Sequence, residues 1–412
     1  MPSRRRLLAA GGLAAAGLVG AISTAPGSVR PRSTAGARSQ SSIDEFDWPM
    51  ARYDAAGTGH NPAASGPTDG VQVRWKRELD ASVRGSAAVI CADGTLFVVG
   101  RRSLVALDAG TGRVRFTRSG SYQSSPAHAK ASAYRTDTLA VTSREGIYGL
   151  NAGGGYELAG VSVGVERWHA PGDAPGYRTS ANPREPSPVA VDGTVYAAVP
   201  ETGRLIAIDA SSGRTEWEYV STDLPMGDPH RPAVRDGTVY VSGWPTTVAA
   251  LDAETGEQRW AVGLDHPDVL APTATEAGVV VPGWDTVSLL DPTDGSVLWE
   301  YDHDGNATEG SAAVADGAVF LTDGDGSLHA VDLDSGEELW TAEYGLQVEP
   351  VVADGVVYLG SFWYPELVAF DAESGEQRWS YDEDTGFSQP VVGDGVLYAV
   401  GNEKIVALEE AD

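Results

Sequence analysis

The sequence predicts an all-β chain folded as an eight-bladed β-propeller of four-stranded antiparallel blades, with the last blade closed by an N-terminal strand. Three observations predict it. Asp-Gly pairs stand between apolar runs at Asp93-Gly94, Asp192-Gly193, Asp236-Gly237, Asp316-Gly317, Asp354-Gly355 and Asp394-Gly395. A second segment, Ala-x-Asp-x-x-(Thr/Ser)-Gly-x-x-x-Trp, recurs with a period of about forty residues, the signature of a repeat architecture. The last unit stops one strand short, while an unmatched strand precedes the first full unit.

In chain order the first element is an export signal. Ser3-Arg4-Arg5-Arg6-Leu7-Leu8 opens the chain, and a weakly apolar run continues to Ile22. This run of about sixteen residues is shorter than the ~20 that a membrane-crossing helix needs. Its basic start and small residues fit a signal peptide instead. Twin arginine followed by two leucines resembles a twin-arginine translocation signal. Residues 1–25 are assigned to it, and the chain is expected to be extracellular or on the cell surface. Ser23-Thr24-Ala25 and Ala35-Gly36-Ala37 are both candidate cleavage points, and no Cys follows the apolar run to carry a lipid. Residues 26–42, built of Pro, Ser, Arg, Gly and Ala, read as a flexible linker, and residues 43–70 as a lead-in segment.

The repeats occupy residues 71–412. One unit runs Glu349-Pro350-Val351-Val352-Ala353-Asp354-Gly355, Val356-Val357-Tyr358-Leu359, Leu367-Val368-Ala369-Phe370-Asp371, Ser374-Gly375 and Trp379. Asp-Gly between apolar runs signals a tight hairpin, because the favoured two-residue turn needs positive φ at both positions. Trp168 closes a degenerate unit that runs from about Ser125 through Asn151. The aromatics that end the units are Trp75, Phe116, Trp168, Trp217, Trp260, Trp299, Trp340 and Trp379, at intervals of 41, 52, 49, 43, 39, 41 and 39 residues. Four strands at a period near forty make a propeller blade. The last unit, Gln389 to Glu409, lacks its Trp strand, and Val71-Gln72-Val73-Arg74-Trp75-Lys76 supplies it from the other end. Such closure leaves no open sheet edge.

This repeat resembles that of the pyrroloquinoline-quinone-type (PQQ-like) propellers, over residues 71–412. The segment Trp48-Pro49-Met50-x-Arg52-x-Asp54 through Thr58-Gly59-x-Asn61 is similar to a lead-in segment of that family. The resemblance implies that the eight terminal aromatics dock between neighbouring blades, with each indole N–H finding a partner. Members of the family include the propeller lipoprotein of outer-membrane protein assembly, which carries a lipid-bearing Cys that this chain lacks. The family's alcohol dehydrogenases hold pyrroloquinoline quinone with a Ca²⁺ bound by carboxylate and amide side chains, an Asp base and commonly a disulfide between adjacent cysteines. Cys91 is the single cysteine, so that disulfide is excluded. No residue here matches those metal ligands or that base, so no catalytic, cofactor or metal residue is carried over. The quinone with Ca²⁺ stays open as an alternative.

Charge narrows the partners. The chain has 29 Lys+Arg against 58 Asp+Glu, and all six basic residues before Asp44 precede the first acid, which leaves a net charge of −35 from Asp44 onward. That excludes a general nucleic-acid or anionic-membrane binder, both of which need a basic footprint. Only Lys76, Lys130 and Lys404 are lysines, and Ile is scarce. Such an acidic, Lys-poor surface resembles proteins that stay soluble in concentrated salt, where self-repulsion is screened; an ordinary acidic exported protein is the alternative reading.

Candidate site residues follow from strand order. The loops entering the innermost strands and those joining second to third strands open on one face. The first set carries Arg84, Gln123, Glu185, His230-Arg231, Asp268, Glu309, Glu349 and Gln389. This ring, polar and mixed in sign, reads either as a funnel orienting a polar ligand or as a hydrated channel mouth. The second set carries three tryptophans outside the repeat pattern: Trp244, Trp284 and Trp363, in blades four, five and seven. Beside Gly and Pro they suit stacking on a planar, sugar or peptide ligand, or packing of loop on loop. Asp302-x-Asp304-x-Asn306 has calcium-loop spacing without the glycine such loops require, and Asp323-Gly324-Asp325-Gly326 reads as a hairpin turn. The seven histidines are scattered, and Cys91 reads as a small buried residue of an inner strand. The preferred function is an exported, monomeric, non-catalytic binding or scaffold module taking a protein partner, or a polar or planar ligand, at the channel face. A quinoprotein dehydrogenase and a glycan-binding or polysaccharide-processing propeller are the alternatives.

Overall fold

The computed structural model describes residues 47–79, 89–100, 102–158, 161–172, 186–222, 224, 226–307 and 310–412. The expected signal peptide and linker, with Arg84, Glu185 and Glu309, lie outside the described residues. Eight four-stranded antiparallel sheets follow one another as the blades of a closed propeller. Blade four shows the pattern, with strands Ala233–Arg235, Thr238–Gly243, Thr247–Asp252 and Gln258–Gly263 from the channel outward. Its second strand is buried at all six positions, because neighbouring blades cover both faces of the sheet. Its outer strand is mostly exposed, with Trp260 turned inward.

The hairpin signals act as predicted. Asp93, Asp192, Asp236, Asp316, Asp354 and Asp394 all have φ near +50°, and each following glycine is also positive. That is the primed turn whose twist matches the strands it joins. Two blades do without it. Blade five turns at Thr275, whose hydroxyl accepts the N–H groups of Ala277 and Gly278. Blade two replaces the turn with residues 130–137 and inserts a hairpin, Tyr156–Leu158 with Val161–Val163, before its outer strand Glu166–Ala170. These insertions account for the long interval that precedes Trp168.

Seven of the eight terminal aromatics bond across the seams through their indole N–H. Trp217 Nε1 of blade three donates to the Ala253 carbonyl of blade four at 3.0 Å, and Tyr196 Oη, also of blade three, donates to that oxygen at 3.2 Å. Trp75, Trp168, Trp260, Trp299 and Trp340 bond in the same way to Ala109, Ala210, Pro292, Leu333 and Ala372 of the following blades. The repeat glycine is explained by the same contact. A Cβ on Gly256, at φ +72°, would stand 2.6 Å from the Trp217 ring. Phe116 lies against Gly154 in the same manner but has no N–H to give. Trp379 meets the place where blade eight has no covalent turn, and the lead-in fills it: the Pro67 carbonyl accepts from Trp379 Nε1 and Tyr358 Oη.

Blade eight consists of Val391–Gly393, Val396–Val400 and Lys404–Glu410, completed by Val71–Glu78. Its seam with blade seven centres on Glu383, which receives Lys76 of the N-terminal strand at 2.7 Å, Lys404 of the C-terminal strand, and the Tyr381 hydroxyl at 2.5 Å. Two of the three lysines thus converge on one carboxylate. Burial would raise the Glu383 pKa, but the bonds from Lys404, Lys76 and Tyr381 outweigh it and hold the group at about 2.

The lead-in is more than a lead-in. Residues 48–59 run around the inner rim and take up the N–H groups of the innermost strands. Cys91 donates to Trp48, His128 to Pro49, Val234 to Ala55, Ala274 to Ala56, Val314 to Thr58 and Val352 to Gly59, all at 2.7–2.9 Å. The carbonyls of one strap thereby satisfy strand edges that would otherwise face the channel unpaired.

Two outcomes are expected. Trp217→Phe removes one cross-blade bond and costs about 1–2 kcal/mol in denaturant unfolding; no loss would show that ring packing alone carries the seam. The Glu383 carboxyl is lowered on folding from 4.5 to about 2, so its contribution is present above about pH 4.5 and lost as pH falls to about 2. Glu383→Gln should therefore lessen acid destabilisation across that window, followed by tryptophan fluorescence.

Candidate functional site: the channel mouth

Beside the strap lies a cavity of about 280 Å³. Its floor is Ala51 and Arg52 of the strap, and its wall comes from the loops entering the inner strands. Arg52 is fully buried: its Nη1 donates to the Pro350 carbonyl at 2.8 Å and its Nη2 to that of Ala312 at 3.1 Å. Arg231 does the same for Pro232 at 3.0 Å and Pro272 at 3.2 Å. Four carbonyls at the heads of inner strands thus converge on two guanidinium groups.

Burial pulls the Arg52 pKa down, with Glu349 and Asp54 opposing. Burial and the neighbouring Arg52 bring Arg231 down to about 10, so Arg231 remains a cation at neutral pH. Glu349 stands with them and accepts a bond from Ser311 Oγ at 3.1 Å. A positive floor therefore lies inside a chain of net charge −29. His230 Nε2 and Arg231 Nε are buried without a hydrogen-bond partner among the described residues. Buried polar atoms are normally satisfied, so such atoms at a cavity wall are points where a ligand or water can bond.

Of the residues singled out in the sequence, Gln123, His230, Arg231, Glu349, Gln389 and Trp363 line this cavity. Asp268 stands outside the lining and accepts the N–H of Val269. Trp244 and Trp284 lie on their loops away from the cavity wall. Of the three loop indoles, Trp244 is 63% exposed and Trp363 77%, with Tyr364 exposed beside Trp363, while Trp284 at 38% is more than half covered. Their backbones are nevertheless anchored, the Trp244 carbonyl by Gly227 N–H and that of Trp284 by Ala307 N–H. The docking Trp residues, by contrast, are turned into the seams. Sequence reading missed Arg52. It was read only as part of the lead-in segment, and nothing local shows that two distant carbonyls await its guanidinium. It also missed the polar wall of Ser124, Ser125, Ser361 and Ser388.

The described residues do not fit the metal half of a quinone site. Ca²⁺ takes six to eight oxygen ligands. Glu349 is the one carboxylate among the described lining residues, and two buried guanidinium groups beside it oppose a second cation. The loop at Asp323 is a turn, as read: its Oδ1 accepts the N–H groups of Asp325, Gly326 and Ser327.

The family model described as outer membrane protein assembly factor BamB matches residues 63–228, 203–347 and 324–412. The chain belongs to this family. The BamB protein of Yersinia pestis is 26% identical over 247 residues, a stretch covering 53% of this chain and 62% of that protein. The match thus spans less than two thirds of the relative's length. The crystal structure of BamB from Moraxella catarrhalis superposes with a TM-score of 0.62 at 16% identity, over 82% of this chain and 99% of the other. Quinohemoprotein alcohol dehydrogenase from Comamonas testosteroni reaches 0.66 at 15% identity, over 89% and 81%. At such identities these structures share the fold. Within the BamB-type fold of this chain the buried arginines act first as structure. Arg52→Leu should cost on the order of 3 kcal/mol in denaturant unfolding, because two carbonyls lose charged partners; an unchanged midpoint would mean that water replaces the guanidinium.

Proposed function

We propose that the chain is an exported, non-catalytic binding module that docks a protein partner on its channel-mouth face. The observation that carries this reading is the set of exposed indoles, Trp244, Trp284 and Trp363, held on anchored loops around a polar cavity. Large aromatics left in water on fixed backbone are anchors of the kind that dominate protein interfaces. The family description, an assembly factor, supports a scaffold role. The polar cavity would accept a carboxylate or amide of the partner, through the charge of Arg52 and Arg231 and the open atoms of His230 and Arg231. Export by the twin-arginine signal of residues 1–25, with a linker to residue 42, belongs to the same proposal, as does an acidic surface suited to salt.

Replacing Trp244, Trp284 and Trp363 together by Ala tests it. These side chains are exposed, so the melting temperature should hardly move, while photo-crosslinking from the loop face to a partner in extracts of the source cells should disappear. Crosslinks of equal yield from an outer-strand position such as Val114 would count against the docking face. A spectrum with added pyrroloquinoline quinone and Ca²⁺, followed by dye-linked alcohol oxidation, tests the quinoprotein alternative; bound quinone with turnover would replace the present reading. Retention on a glycan array, lost in the triple variant, would favour a carbohydrate partner instead.

A further inference from the structure

The seam between blades one and two differs from the others. Its docking aromatic is Phe116, so the indole bond found at the seven tryptophan seams is missing there. Blade two also lacks the Asp-Gly turn and has residues 130–137 in its place. The middle residue of its innermost strand is His128, paired with Leu139. The other seven inner strands carry a small apolar residue at that place, with Val234, Val314, Val352 and Val392 among them.

His128 faces two carboxylates. Its Nε2 is 3.9 Å from Asp93 Oδ2, on the hairpin turn of blade one, and 3.7 Å from Asp137 Oδ2, at the end of the replacement loop. The His128 side chain is only 12% exposed, and its imidazole makes no hydrogen bond among the described residues. Those distances are too long for hydrogen bonds. They suit an ion placed between the groups. The three ligand atoms lie within 4.8 Å of one another, and ligands across a Zn²⁺-sized ion stand roughly 3–4 Å apart. A modest contraction would therefore close the set.

We propose that Asp93, His128 and Asp137 bind a divalent first-row transition ion of the zinc type, which staples blade one to blade two where the tryptophan bond is absent. One imidazole with two carboxylates offers the mixed nitrogen and oxygen set that Zn²⁺ accepts, whereas Ca²⁺ prefers oxygen alone. Two charges on the carboxylates balance the ion. Asp137 is oriented through its other oxygen, which accepts the N–H of Ala131 at 3.1 Å, the kind of outer bond that aims a metal ligand. The Asp93 side chain is 64% exposed and leaves one side open to water. Lys130 stands near His128 and Arg167 near Asp137, and their charges limit the affinity for a cation. This site lies apart from the channel mouth and does not depend on the proposed function.

Titration calorimetry of the chelator-treated full chain with Zn²⁺, and separately with Ca²⁺, tests the assignment. One Zn²⁺ per chain is expected, with a raised melting temperature and no comparable response to Ca²⁺. Asp93→Asn keeps a residue that tolerates the φ of +49° at this turn. His128→Val introduces the residue that four other blades already carry. Both should stay folded by circular dichroism while Zn²⁺ binding weakens by on the order of tenfold or more and the melting shift is lost. Absence of Zn²⁺ binding by the unmodified chain, binding undiminished in both variants, or Ca²⁺ binding as tight as Zn²⁺ would overturn the proposal.

Discussion

The bond from an outer-strand indole to a carbonyl of the next blade is the interaction on which the ring depends. It makes three demands at once. The donor is Trp at seven of the eight seams, and its N–H needs an acceptor because a buried, unmet N–H is costly. The acceptor must sit on a turn that presents its carbonyl sideways, which the preceding Asp secures by holding the turn: Asp252 Oδ1 accepts Glu254 and Thr255 N–H, and Asp371 Oδ1 does so for Ser374. The residue under the ring must be Gly, since a Cβ there would enter the indole. The repeat motif is the sum of these demands.

A ring of blades creates a second problem at its centre, where eight short strands turn their free edges and their leading carbonyls toward a channel. The strap pairs six of these edges with its own carbonyls, and Arg52 and Arg231 take up four of the leading carbonyls with charge. The same strap thus pairs inner-strand edges and supplies the floor of a polar cavity. The electrostatics of the mouth follow from this solution to a folding problem. Cations that no acidic surface would suggest are brought to the axis because backbone dipoles converge there.

The repeat was legible because it is local. Asp236-Gly237 implies its hairpin from two residues, and Trp260 with Gly295 implies a seam from a fixed spacing. The missing Trp strand of the last unit was equally plain. The candidate site was only partly legible. Strand order told which loops share a face, so Gln123, His230, Arg231, Glu349, Gln389 and Trp363 could be named before any of them was seen to line one cavity. Whether an exposed-looking Trp is covered could not be read, because cover comes from loops distant in the chain. Phe116 was read as one aromatic of the repeat and His128 as one of seven scattered histidines, with no hint that both belong to one seam.

By itself, the sequence determined the blade, the number of blades, the closure and the docking residues, because each depends on turn chemistry and on a repeated spacing. Only the tertiary structure decided the path of residues 48–59 around the rim, the burial of Arg52, the convergence of Lys76 and Lys404 on Glu383, and the grouping of Asp93, His128 and Asp137. These are contacts between residues tens to hundreds of positions apart. No periodicity marks them, because each occurs once, and each is set by where the closed ring brings its edges together.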